Sequence, residues 1–115
     1  GQGTARARLA LNDSHLNGVG IAHGGAIFAL ADLAFAAASN SYGTVALAIN
    51  AHISYMRAAS QGTLYAQARE ISRTPRLATY TVEITDEQSS LVAIFQGMVY
   101  RKKETLQEID HQERP

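Results

Sequence analysis

A chain of 115 residues, 46% hydrophobic and 17% charged, has the makings of one soluble globular domain whose core needs neither disulfides nor metal. Its ten basic and ten acidic residues cancel, which argues against a nucleic-acid or anionic-membrane surface. The lack of cysteine and of a signal-like start fits a reducing cytoplasm.

Residues 4–11 alternate, with Ala5, Ala7, Leu9 and Leu11 set against Arg6 and Arg8, the pattern of a half-exposed strand. Asn12-Asp13-Ser14 signals a turn, and a loop runs through Asn17-Gly18-Val19-Gly20 to His23. The pattern predicts a helix over roughly residues 25–41, about 25 Å long. Its centre, 26–38 (AIFALADLAFAAA), is apolar on every side but shorter than the ~20 residues that span a bilayer. It therefore reads as a buried core helix, covered all round by a sheet and a partner. Ser39-Asn40-Ser41-Tyr42-Gly43 ends it, with Gly43 near the left-handed position.

Everything after Gly43 reads as strand. In 45–56 the residues Val45, Leu47, Ile49, Ile53 and Tyr55 are expected to share one face. Strands over 63–72, 77–86 and 91–101 follow, separated by turn-rich Ala59-Ser60-Gln61-Gly62, Arg73-Thr74-Pro75-Arg76 and 86–90. Short links between successive strands imply antiparallel hairpins. One strand, one long helix and four strands make an α+β domain over 1–101. Residues 102–115 read as a charged C-terminal tail in which Leu106 and Ile109 could give a short helical turn.

Asp32 stands alone in the apolar helix, and His23-Gly24-Gly25 opens that helix. A buried ionised carboxylate is costly unless paired or hydrogen-bonded, so it is kept for a reason. The Gly-Gly pair marks a helix N-terminus whose free N–H groups and dipole favour negative charge. An anion-stabilising helix end and an acid–base carboxylate two turns later are the two halves of an acyl-transfer site. Gly24 and Asp32 are eight residues apart, a rise of roughly 12 Å. A side chain leaning toward the N-terminus and a bridging water could span this, so one-subunit and two-subunit sites both stay open.

Blander roles compete for the same residues. Asp32 could be a satisfied structural carboxylate, Gly24-Gly25 could permit close helix–strand packing, and Asn17 could simply form a turn. His23 suits a loop organiser better than an acid or base. His15, His52 and His111 read as surface or satisfied histidines, and no spacing here resembles a metal site. Phe28 and Phe35 fit the core, although Phe28 is one turn above Asp32 and could line a pocket.

The stretch 15–32 (HLNGVGIAHGGAIFALAD) has Asn, five residues, His-Gly-Gly, six residues and Asp. It closely resembles the hotdog-fold thioesterases of the phenylacetate-degradation type. The likeness continues through Ala34-Phe35-Ala36, Asn40-Ser41 and Ile53-Ser54-Tyr55-Met56-Arg57, and covers residues 4 to about 101. It implies a hotdog fold, in which an antiparallel sheet wraps one long central helix. The implied reaction hydrolyses an aromatic or medium acyl-CoA, phenylacetyl-CoA-like, to the free acid and coenzyme A. The coenzyme A thioester is then the substrate and no cofactor is needed.

By the same resemblance, the Gly24 backbone N–H holds the oxyanion, and Asn17 adds a side-chain amide or binds substrate nearby. Asp32 acts as general base or nucleophile, and His23 shapes the loop. Gly24 and Asp32 of one site come from different subunits, so the homodimer is the catalytic unit; the all-round apolar helix and open sheet edges themselves predict a homodimer or homotetramer. Candidate substrate contacts are Gly25, Phe28, Asn50, Arg57, Arg73 and Arg76, the arginines being suited to coenzyme A phosphates. Some relatives carry Ser or Thr on the strand after the helix; here the aligned position is Ala48, which leaves Asn50 as the next polar residue on that face. The family's N-terminal helix and first half-strand have no counterpart in this sequence. Two other functions suit the fold. One is a hydroxyacyl-CoA dehydratase using His23 with Asp32. The other is a non-catalytic acyl-CoA-binding module, which the alanine at position 48 keeps open.

Overall fold

Helix α1 (Gly24–Ser39) follows strand β1 (Thr4–Ala10) and a one-turn 3-10 helix (Asp13–His15) in the computed structural model, which describes residues 2–18, 20 and 22–105. Strands β2 (Thr44–Tyr55), β3 (Thr63–Arg73), β4 (Leu77–Thr85) and β5 (Leu91–Thr105) complete it. All pairings are antiparallel, and the five strands form one sheet in the order β1-β3-β4-β5-β2. Alanine and leucine dominate α1 after its glycines and favour the helix. The helix stops where the Asn40 N–H bonds back to the Ala36 and Ala38 carbonyls, and Gly43, at φ +82°, turns the chain into β2. Among the described residues, no helix is long and apolar enough to cross a membrane.

Ile27, Leu30, Ala31, Ala34, Phe35 and Ala38 of α1 pack on the inner face of the sheet, against Leu64, Tyr80, Val82, Ile84, Phe95 and Val99 among others. Alanines at 66, 68 and 78 let helix and sheet approach closely. The Phe35 ring lies on Gly97, where a Cβ would meet Phe35 Cζ at 2.6 Å. Gly97→Ala should therefore cost about 1–3 kcal/mol by overpacking. A urea melt would read this loss, and a smaller ring partner, Phe35→Leu, should recover part of it in the double variant.

Within one chain the sheet covers one side of α1; Gly25, Ala29, Asp32, Leu33, Ala36 and Ala37 are exposed on the other, Leu33 by 62%, the side left to a partner. Three expectations need correction. Strands β2 and β3 do not form a hairpin, because β2 pairs with β5 while β3 lies between β1 and β4. The face proposed for β2 is broken by register shifts between Thr44 and Ala46 and between Ala48 and Asn50. Leu47 consequently sits opposite Tyr100 on the outer face, whereas Ile53 sits opposite buried Phe95 on the helix face. Finally, β5 continues to Thr105, paired with the start of β2, so the strand passes the expected tail boundary at 102. The helical turn suggested for Leu106 and Ile109 lies outside the described residues.

Candidate active site

The approach to α1 is fixed by backbone hydrogen bonds. The His23 N–H donates to the His15 carbonyl at 2.7 Å, and the Ala22 N–H donates to the Ala59 carbonyl at 2.6 Å. His15 is itself held, since its Nδ1 accepts from the Asn12 N–H at 3.1 Å. That acceptor role puts the neutral ring's proton on Nε2 and makes His15 a satisfied loop organiser. Asn17 is exposed in the same loop, and its carbonyl accepts from the Gly20 N–H at 3.0 Å.

The His23 carbonyl takes the N–H groups of Ala26 and Ile27, at 3.0 and 3.1 Å, whereas its side chain makes no capping bond. His23 thus shapes the helix start through its backbone rather than its ring. Among the described residues nothing accepts the N–H of Gly24 or Gly25, and both glycines are exposed. Two unpaired donors at the positive end of a 16-residue helix are what an oxyanion requires.

Beside them opens a cavity of about 340 Å³ lined by Ala22, Gly24, Ile27, Tyr55, Met56, Arg57, Ala58 and Ala59. Tyr55, absent from the candidates drawn from the sequence, donates its hydroxyl to the Gly24 carbonyl at 2.8 Å. Its ring is so close that a Cβ on Gly24 would meet Tyr55 Oη at 3.2 Å and Cζ at 3.3 Å. Gly24 is glycine partly for that contact. By contrast, a Cβ on Gly25 would meet nothing within 4 Å. Only the position of Tyr55 within the Ile53–Arg57 string hinted at its role.

Asp32 is exposed in the single chain, so the burial expected from its apolar neighbours is not supplied by the sheet. The reason is the uncovered side of α1. Phe28 and Phe35, four before and three after it, both pack on Phe95 of β5, with centroids 5.4 and 5.3 Å away. Asp32 therefore sits on the flank of α1 that leans toward β5 and β2. The opposite flank borders a hollow of about 250 Å³ lined by Leu30, Leu33, Leu9, Arg8 and His15 among others. Among the described residues no carboxylate lines the cavity beside Gly24, so within one chain Asp32 and that cavity are separate.

Other candidates are also redistributed. Phe28 gives its ring to Phe95 and does not line the Gly24 cavity. Asn50 lies opposite Met98 on the outer face, while Ala48 lies opposite Val99 on the helix face. The extra residue between them reverses the alternation, so Asn50 does not stand beside the Asp32 of its own chain. Arg57 borders the Gly24 cavity, but Arg73 and Arg76 flank the β3–β4 turn near the other end of α1. There the Arg73 guanidinium sits 4.3 Å from the Tyr42 ring centroid and 4.0 Å from Glu70, and Arg101 stacks at 5.4 Å. Burial, and then the Glu70 carboxylate that accepts its hydroxyl at 2.9 Å, hold the Tyr80 phenol well above the ordinary tyrosine range. The three candidate arginines thus do not form one phosphate site in a single chain. Among the described residues no group of three His, Asp or Glu could hold a metal ion.

Residues 19–93 match the family model described as the thioesterase superfamily. The chain is 37% identical over 101 residues to the acyl-coenzyme A thioesterase PaaI of Escherichia coli, spanning 87% of this chain and 72% of that protein. A mutant of the phenylacetic acid degradation protein PaaI from Thermus thermophilus superposes with a TM-score of 0.84 and 40% identity, over 89% of this chain and 88% of that one. The protein smu.793 from Streptococcus mutans, bound to acetyl-CoA, superposes with a TM-score of 0.85 and 25% identity, over 90% and 85% of the two chains. With one helix packed on an antiparallel five-stranded sheet, and with that match in sequence and structure, the chain belongs to the thioesterase superfamily as a hotdog-fold thioester hydrolase of the PaaI type.

Proposed function

We propose that the protein hydrolyses an aromatic acyl-CoA of the phenylacetyl type to the free acid and coenzyme A, in a site shared by two copies of the chain. The observation that carries this reading is the pair of unpaired N–H groups at Gly24 and Gly25, beside a cavity that no carboxylate lines. The apolar part of that lining, Ala22, Ile27, Met56 and Ala58, suits an acyl group, and Arg57 on the same lining suits a phosphate of coenzyme A. Likeness to the phenylacetic acid degradation protein PaaI supports the phenylacetyl choice, and the acetyl-CoA complex of a neighbour supports the class of ligand.

In this mechanism the thioester carbonyl accepts a hydrogen bond from the Gly24 N–H. Asp32 of the second copy takes a proton from water as it attacks the carbonyl carbon, or attacks that carbon itself to form a mixed anhydride that water then hydrolyses to the free acid. The developing oxyanion is held by the helix end, with Asn17 adding an amide nearby, until the C–S bond breaks and the thiolate leaves. No cofactor takes part. The second copy is expected along β2, a 12-residue edge strand on which Leu47, Ile49 and Tyr55 are each about half exposed. Pairing there would cover those side chains and the flank that carries Asp32. A dehydratase needs His23 and Asp32 on one substrate carbon, and the exposed His23 at the helix start favours no such pairing with Asp32 two turns on.

Thiol release from phenylacetyl-CoA, followed beside light scattering, tests the reading. The expected result is one free thiol per acid formed, by a dimer or a tetramer. No thiol release would leave the binding-module function in place, and a stable monomer at micromolar concentration would remove the shared site.

A further inference from the structure

We propose that the Tyr55 hydroxyl is a positioning group for the oxyanion hole and that the Gly25 N–H is its second donor. This rests on the thioesterase reading above. A helix that opens on two glycines has its loosest backbone where the oxyanion must be held. No side-chain cap steadies this one. The hydroxyl of Tyr55 supplies the missing restraint, through its 2.8 Å bond to the Gly24 carbonyl.

That carbonyl belongs to the peptide group whose other end is the Gly25 N–H. A hydrogen bond donated to the oxygen draws electron density from the amide, which strengthens the N–H as a donor, by roughly 10–30% in condensed-phase estimates. It also fixes the peptide plane, so that the donor is aimed before the charge develops. Nothing among the described residues uses the Gly25 N–H, and a Cβ on Gly25 would meet nothing within 4 Å, so the residue carrying the donor is uncrowded on that side. Tyr55 reaches the carbonyl because it lies opposite Ala93 on the helix face of β2, and it lines the cavity at the same time.

Tyr55→Phe keeps the ring that packs on Gly24 and removes only the hydroxyl. With phenylacetyl-CoA, kcat should fall about tenfold, less than the 100- to 1,000-fold typical of a deleted donor, while KM stays within about twofold. A second readout uses phenylacetyl-CoA labelled with ¹³C at the thioester carbonyl and bound to the Asp32→Asn protein. Its carbonyl stretch should lie below that of the free thioester and move back toward it when Tyr55→Phe is added. A merely structural tyrosine would change the amount bound and leave the band in place. If the unaltered protein releases thiol but Tyr55→Phe leaves kcat and the band unchanged, the assignment of Tyr55 falls alone. The same holds if activity is lost with the band unmoved. If the unaltered protein releases no thiol, the thioesterase reading itself fails.

Discussion

Asp32→Asn should lower hydrolysis of phenylacetyl-CoA at least ~100-fold, the loss expected when a general base is removed, and leave thermal unfolding nearly where it was. Asparagine keeps the shape of the side chain but can neither take a proton nor attack a carbonyl. Within one chain the charge does nothing for the fold, since the carboxylate is exposed there and no ion pair or hydrogen bond holds it among the described residues. Surface changes of this kind usually stay within about 0.5 kcal/mol. Thiol-release kinetics and a melting curve on the same preparation check both halves. A structural carboxylate would give the reverse, an early melt with the rate nearly kept.

Gly24→Pro attacks the other half of the site. His23, at φ −58° and ψ 137°, already has the extended conformation that a residue before proline requires. Proline is well tolerated at the first helical position, and the N–H it deletes has no partner among the described residues. The one obstacle is Tyr55, whose ring must give way by a few tenths of an ångström from its 3.2 Å approach. We therefore expect a stability loss of no more than about 1 kcal/mol and a rate loss of about 100- to 1,000-fold. Full activity would move the oxyanion hole elsewhere. Mixing this variant with Asp32→Asn goes further. If two copies share each site, subunit exchange should restore about a quarter of the original rate, because half the dimers then hold one intact site. A site within one chain restores nothing.

The strand–helix–four-strand order was legible from the alternation in 4–11 and the apolar run at 26–38. The helix start was legible too, because glycine pairs and missing caps leave a signature in the residues themselves. Coverage was not. Leu33 and Ala29 look identical in a sequence whether they face a core or a surface awaiting a partner, so the exposure of Asp32 within a single chain was not legible. The extra residue in β2 was equally hidden, since Ile49 continues an unbroken apolar alternation. That misplaced Asn50 and concealed Tyr55, whose importance depends on which face it occupies. Arg73 and Arg76 suited a phosphate by residue type, but the long helix sets them far from Arg57.

The irregularity in β2 also bears on how the protein behaves when concentrated. A sheet with two free margins invites head-to-tail stacking, in which one margin of each molecule adds to the other margin of the next. Here the register shift between Ala48 and Asn50 cuts the β2 margin into two shorter regular runs. The β1 margin carries exposed Arg6 and Arg8, whose charges oppose an apolar neighbour. Polymerisation would need an uninterrupted, uncharged ladder at both margins at once. A two-fold pair needs only one of the regular runs in β2, matched to itself. The same kinked strand can therefore admit a single mate while discouraging a filament, which favours assemblies that close.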